Sequence, residues 1–217
     1  MIDLHTHSIF SDGELLPAEL ARRAKVAGYR AVAITDHADA SNLDLVIPRL
    51  AALAREYSIY MDMIVLAGVE LTHVPAALID HEVRRARELG AMIVVAHGET
   101  LVEPVERGTN LAAIEAGVDV LAHPGLITAE EARLAAEHGV LLEITTRAGH
   151  AYSNGHVAAM ARAHGAKLVV NNDAHAPRDL VDADLRRRIA LGCGMTADEY
   201  LQADGHAWAL VSRSLSL

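Results

Sequence analysis

The chain has 217 residues, 52% of them hydrophobic, and a formal net charge of −10. This is enough apolar material for a sizeable core but too short for two ordinary domains, so one domain over 1–217 is expected. The acidic balance and 3% aromatic content argue against a general nucleic-acid backbone binder or a base-stacking surface, and no run reaches the ~18 apolar residues of a membrane span. The lone Cys193 excludes an internal disulfide and reads as a small hydrophobe. With no basic-then-apolar N-terminal segment, a cytoplasmic protein is expected.

Taken in chain order, an apolar run at 2–5 stops on His5, followed by Thr6 and His7. A helix is expected over 17–27, closed by Gly28, and leads to a strand at 31–34 that runs into Asp36 and His37. A helix over 43–56 precedes a strand at 64–71 that carries Glu70. Helix 77–89 and Gly90 lead to a strand ending on His97, and helix 110–116 and Gly117 to one ending at His123. Helix 129–138 and Gly139 precede a strand reaching Glu143; helix 157–164 and Gly165 precede one that runs on to Asp173 and His175. A last long helix is expected over 178–191, a short one over 196–200, and Trp208 is expected to anchor the C-terminus by packing. Each closing Gly fits the left-handed residue that ends a helix.

Strict alternation of helix and strand implies a parallel sheet covered by helices. Histidine supplies only 13 residues, yet five strand ends collect one. A closed barrel makes those ends converge, whereas an open sheet spreads them, so a distorted seven-stranded (β/α)7 TIM-like barrel is expected, with its site at the C-terminal strand ends. Imidazoles with a minority of carboxylates suit Zn, Mn or Fe and not Ca or Mg.

The motifs His5-Thr6-His7 to Asp12-Gly13, Thr35-Asp36-His37, Gly68-Val69-Glu70, Ala96-His97, Ala122-His123-Pro124 and Asp173-Ala174-His175 resemble those of the PHP (polymerase and histidinol phosphatase) family. The resemblance implies a trinuclear metal-dependent hydrolase of phosphate esters: a phosphomonoesterase or phosphodiesterase, similar to histidinol phosphatases, using a hydroxide held between metals. It also implies the ligands of three divalent transition-metal ions. His5, His7, Glu70 and Asp173 would hold one; Glu70 would bridge to a second, held also by His97 and His123; Asp12, His37 and His175 would hold the third. Glu70 and Asp173 thus count among the catalytic residues.

Around these ligands the sequence offers further candidates. Arg147, on the loop after the sixth strand, is expected to bind phosphate through its forked N–H groups. His150 on the same loop is a candidate proton donor and substrate contact, with His73 as the alternative. Asp36 reads equally well as a group orienting a ligand histidine or as a capping residue, and Glu143 as a partner of the metal ligands or a structural ion pair. His81, His138, His164 and His206, Arg178, and the run Arg186-Arg187-Arg188 read as surface. The expected partner is a small phosphorylated substrate. Two other readings stand beside this one: a C–N bond hydrolase of the amidohydrolase type, and a non-catalytic metal-stabilised PHP module. Many amidohydrolases bridge their metals through a modified lysine at the fourth strand end, where this chain has His97.

Overall fold

Every apolar run ending in a candidate ligand forms a strand in the computed structural model, which describes residues 1–216. The strands are β1 (Ile2–Asp3), β2 (Ala31–Ile34), β3 (His37–Ala38), β4 (Ile64–Leu71), β5 (Ile93–His97), β6 (Val120–Ala122), β7 (Leu141–Thr145) and β8 (Leu168–Asn171). β2 and β3 both pair with β4 and form one interrupted stave, so seven parallel staves run in the order β1-β2-β4-β5-β6-β7-β8. The helices are α1 (Pro17–Val26), α2 (Leu43–Met61), α3 (Ile79–Glu88), α4 (Thr109–Glu115), α5 (Ala129–His138), α6 (Asn154–His164), α7 (Ala183–Gly192) and α8 (Ala197–Ser214). The five glycines expected to close helices all have positive φ, from 70° at Gly117 to 102° at Gly90. The expected (β/α)7 barrel is the observed one.

Its interior is layered by the two-residue period of the strands. Near the N-terminal strand ends Ile2, Ala31, Leu66, Ile93, Val120, Leu141 and Val169 point inward and are buried together with Ala207, Leu210 and Val211 of α8. Following the same inward alternation one or two steps further brings Glu70, His97, Glu143 and Asn171 to the opposite end, all buried. One end of the barrel is therefore apolar and plugged, and the other is lined with ligand-type groups.

The barrel is nearly closed. Between β8 and β1 there is one isolated bridge, Thr6 to Ala174, and side chains complete the seam. Asn172 Nδ2 donates to Asp3 Oδ2 at 2.6 Å, and Leu4 N donates to Asn171 Oδ1 at 3.0 Å. The Arg186 guanidinium reaches the carbonyls of Ile2, at 2.9 Å, and Val170.

The structure departs from the sequence expectations chiefly near the C-terminus. Arg186 is not part of a solvated arginine face: it is 1% exposed, while Arg187 and Arg188 do face water. The C-terminal helix is not a short turn at 196–200 but the 18-residue α8, whose small residues let it seat against the barrel. Trp208 is 41% exposed, with the Arg30 guanidinium 5.2 Å above its ring; Ala207, Leu210 and Val211 anchor the terminus instead. Arg178 is exposed, as expected, but it lies in a short turn at Pro177–Asp179, and the helix expected over 178–191 is α7, which starts only at Ala183.

Candidate metal centre

The nine candidate ligands meet at the C-terminal end of the barrel. Four overlapping groups bring donor atoms within 4.8 Å of one another: His7, Asp12, His37 and His175; His5, His123 and Asp173; His5, His7 and Glu70; and Glu70, His97 and His123. Glu70 is the hub. Its Oε2 lies 3.2 Å from His5 Nε2 and 2.8 Å from His37 Nδ1, and its Oε1 lies 3.7 Å from His123 Nε2. Asp173 Oδ1 sits 3.2 Å from His7 Nε2, and Asp12 Oδ1 sits 3.1 Å from His175 Nε2.

Local backbone shapes this convergence. His123 and Asp173 have φ of 27° and 53°, left-handed values that cost a non-glycine residue of order 1–3 kcal/mol. Each lies just past its strand, where the reversal turns the side chain over the barrel mouth. The Asp12 loop is drawn back by Asp36, whose carboxylate accepts from Ser8 N at 2.7 Å and Ser11 Oγ at 2.8 Å. Gly13 must pass so close to His7 that a Cβ there would lie 2.3 Å from the His7 carbonyl oxygen. Asp36 thus holds the loop and does not touch a ligand histidine. Glu143 does: its Oε2 is 2.8 Å from His5 Nδ1 and accepts from Asn171 Nδ2 at 2.9 Å, which leaves His5 Nε2 free to face the centre.

The centre is electrostatically incomplete. Buried His5 Nε2, both His7 ring nitrogens, His123 Nδ1 and both Glu70 oxygens make no well-aligned hydrogen bond, even though His37 Nδ1 comes within 2.8 Å of Glu70 Oε2, whereas buried polar atoms are nearly always paired. Burial works against a charged His5, but Glu70, Glu143 and Asp173 outweigh it and raise its pKa well above the ordinary value. Burial and the neighbouring His37 push His7 far down, and burial together with His97 does the same to His123. Burial raises Asp173. Buried unpaired atoms on imidazoles and carboxylates, converging in this way, are a donor set that fits divalent metal ions.

A model of the PHP domain matches residues 3–145, which include seven of the nine converging side chains. The chain belongs to the PHP domain family. It is also 51% identical, over 91% of each chain, to uncharacterized protein MJ1295 of Methanocaldococcus jannaschii. Among solved structures, hisK of Listeria monocytogenes, assigned as a histidinol phosphatase, superposes with a TM-score of 0.60 at 13% identity, covering 82% of this chain and 97% of that one. The ochratoxinase of A. niger superposes with a TM-score of 0.65 at 14% identity, covering 97% and 71%. At such identities the likeness is one of fold.

Other predicted side chains border it. Arg147 is half-buried, and its Nη1 lies 3.1 Å from the Asp173 carbonyl and against His175 Nδ1. His150 is buried in a short 3-10 turn, stacked on His123 at 4.2 Å between ring centroids, with Nδ1 2.8 Å from Thr100 Oγ1. The loop position expected for His150 is thus a packed turn. His73, with φ of 51°, is exposed and stacks on His97 at 5.4 Å. His206 is half-buried, its Nδ1 2.9 Å from the Leu168 carbonyl, and stays away from the centre.

Sequence reasoning missed Glu103. It sits in the loop between β5 and α4, and its Oε2 is 3.0 Å from His97 Nε2. The His97 N–H holds its carboxyl at about 2. No strand end or motif marks this residue. The only sequence signal is an acid in a long loop that leaves the functional face. Among the described residues no helix is long and apolar enough to cross a membrane.

Proposed function

We propose that this PHP protein is a metal-dependent hydrolase of phosphate esters, acting on small phosphomonoesters or on phosphodiesters, with about three Zn, Mn or Fe ions per chain. The observation that carries this reading is Glu70, a fully buried carboxylate with two unpaired oxygens facing donors of separate groups. His5, His7, Glu70 and Asp173 would hold one ion, Glu70 with His97 and His123 a second, and Asp12, His37 and His175 a third. When bound, such ions supply Lewis acidity toward phosphoryl oxygens and make water a stronger nucleophile at neutral pH. About six positive charges on three divalent ions exceed the three carboxylates Asp12, Glu70 and Asp173, which favours an anionic ester over a neutral amide.

The remaining roles belong to side chains at the rim. Arg147 already lies beside Asp173 and His175 and would bind phosphoryl oxygens through its forked N–H groups. His150 is the candidate donor of a proton to the leaving alkoxide: the Thr100 hydroxyl can occupy its Nδ1, and the proton then sits on Nε2. His73, stacked over His97 at the edge, would touch the alcohol portion of the substrate.

Turnover of a panel of phosphomonoesters, phosphodiesters and N-acyl amino acids by metal-reconstituted protein tests the proposal. Hydrolysis of the phosphate esters with no cleavage of the amides is expected. Amide cleavage alone would replace this reading with the C–N hydrolase, and metal-dependent melting with no turnover would point to a structural module.

A further inference from the structure

The loop between β5 and α4 crosses the open side of the centre and is tied down at both flanks. Glu106 Oε2 accepts from Ala76 N at 3.2 Å on one side. On the other, Thr100 Oγ1 meets His150 Nδ1 at 2.8 Å, and the Val102 side chain lies where a Cβ on Gly149 would be 3.7 Å away. At the base Glu99 Oε1 accepts from Gly108 N at 2.9 Å and from Asn110 N at 3.1 Å. A loop fixed at so many points presents Glu103 in a defined place. Its carboxylate lies 3.0 Å from His97 Nε2, 3.4 Å from His150 Nε2 and 3.7 Å from His73 Nε2.

The other ring nitrogen of His97 lies 3.2 Å from the Gly98 carbonyl, so Nε2 is the atom His97 offers to a cation. Glu103 lies against that atom. Its side chain is 37% exposed, whereas Glu70 is fully buried. The group of Glu70, His97 and His123 has one carboxylate, shared with other donors, so a divalent cation there keeps most of its positive charge. At the other side of the centre Asp12, also exposed and also on a loop, stands 3.1 Å from His175 Nε2 and 3.5 Å from His37 Nε2. Glu103 bears the same relation to His97 as Asp12 does to His175.

We propose that Glu103 is a tenth metal ligand: a solvent-accessible carboxylate, supplied by the β5–α4 loop, for the cation held by Glu70, His97 and His123. A carboxylate at that point adds the missing negative charge. Being at the surface, it can leave when an anionic substrate arrives. The inference rests on the metal-binding part of the proposed function and not on the identity of the substrate.

Metal-free wild type, Glu103→Gln and Glu106→Gln are titrated with chelator-buffered Zn2+, and then with Co2+ while visible absorption is recorded. Glu103→Gln should weaken one ion by at least about tenfold, leave the others unchanged and alter the Co2+ bands. Glu106→Gln, which touches only the Ala76 backbone, should match wild type. Unchanged affinities and spectrum in Glu103→Gln overturn the proposal, as does an equal loss in Glu106→Gln, which would assign the effect to loop placement. Wild type that takes up no cation overturns the metal reading as well, so the two failures are distinguishable.

Discussion

Two buried polar clusters share the β1 and β8 sides of the barrel, a few residues apart, and they are built on opposite principles. At the seam, Asp3, Asn171, Asn172 and Arg186 are matched: Asp3 accepts from Asn172 N at 3.2 Å and from its side chain at 2.6 Å. Asn172 Nδ2 also reaches the Tyr29 hydroxyl at 2.6 Å, and of the Arg186 nitrogens Nε alone is unpaired. At the mouth, His5, His7, Glu70 and His123 leave donor and acceptor atoms with nothing to bind. Their charges differ in kind as well. A guanidinium cannot discharge, whereas an imidazole with an ordinary pKa of about 6.5 can release its proton when a partner is lost. The matched cluster holds the fold together, and the unmatched one is a donor set that fits divalent cations.

If this contrast is right, the largest effect on folding belongs to the seam. Arg186→Met removes a fully buried cation and leaves the carbonyls of Ile2 and Val170 without their donor. A loss of about 3–5 kcal/mol is expected, read from urea denaturation of metal-free protein. Arg186→Met within about 1 kcal/mol of wild type would remove the distinction between the clusters.

Glu70→Gln should behave the other way. In metal-free protein the loss of the carboxylate removes a charge that favours protonated His5 and His37, so either imidazole can discharge more readily and stability should change by no more than about 1 kcal/mol. Metal content, measured by elemental analysis after reconstitution, should fall at both Glu70-containing groups together. A variant that keeps its metal complement would show that Glu70 is not shared.

At the rim the expected effects are kinetic. His150→Gln should slow an alkyl phosphate by roughly a hundredfold and hardly affect p-nitrophenyl phosphate, whose leaving group needs no acid. Equal slowing of both would make His150 a binding or packing residue, in keeping with its burial. Arg147→Ala should lower kcat/KM by roughly tenfold to a thousandfold with metal content retained; loss of metal would mean that its contact with His175 is what matters.

The same contrast explains what could be read from the sequence. Apolar runs that end in or run into His, Glu or Asp, and glycines that close helices, are local signals, and they located the staves and eight of the nine converging side chains; Asp12, in a polar loop, was marked only by the resemblance to the PHP family. Groups whose partners are distant in sequence gave no such signal. Arg186 lies in an arginine triplet that looks like a solvated face, and its partners Ile2 and Val170 belong to β1 and β8. The 18 residues of α8 include Asp204 and Gly205, which break the helical pattern, and its role as a plug depends on the barrel being there to fill. Glu103 touches His97 only because the loop is tied across the mouth.

A third setting for a carboxylate, matched but close to water, should give the smallest effect. Glu199 caps α8: Thr196 N donates to its Oε2 at 2.7 Å, and Arg162 donates to both its oxygens, at 2.7 and 2.8 Å. The hydrogen bonds from Arg162 hold its carboxyl at about 2, below its ordinary value of 4.5. A carboxyl lowered in the folded state stabilises that state above the unfolded pKa, and the contribution is lost as pH falls from 4.5 towards 2. The pair is largely solvent-screened, so Glu199→Gln should lower Tm by only about 1–2 °C at neutral pH. That difference should shrink steadily as the buffer is taken below pH 4.5, because the wild-type carboxyl then also becomes neutral in the unfolded chain. A gap that stays constant with pH would assign the helix cap to Glu199 as a neutral hydrogen-bonding group, and its charge would then add nothing.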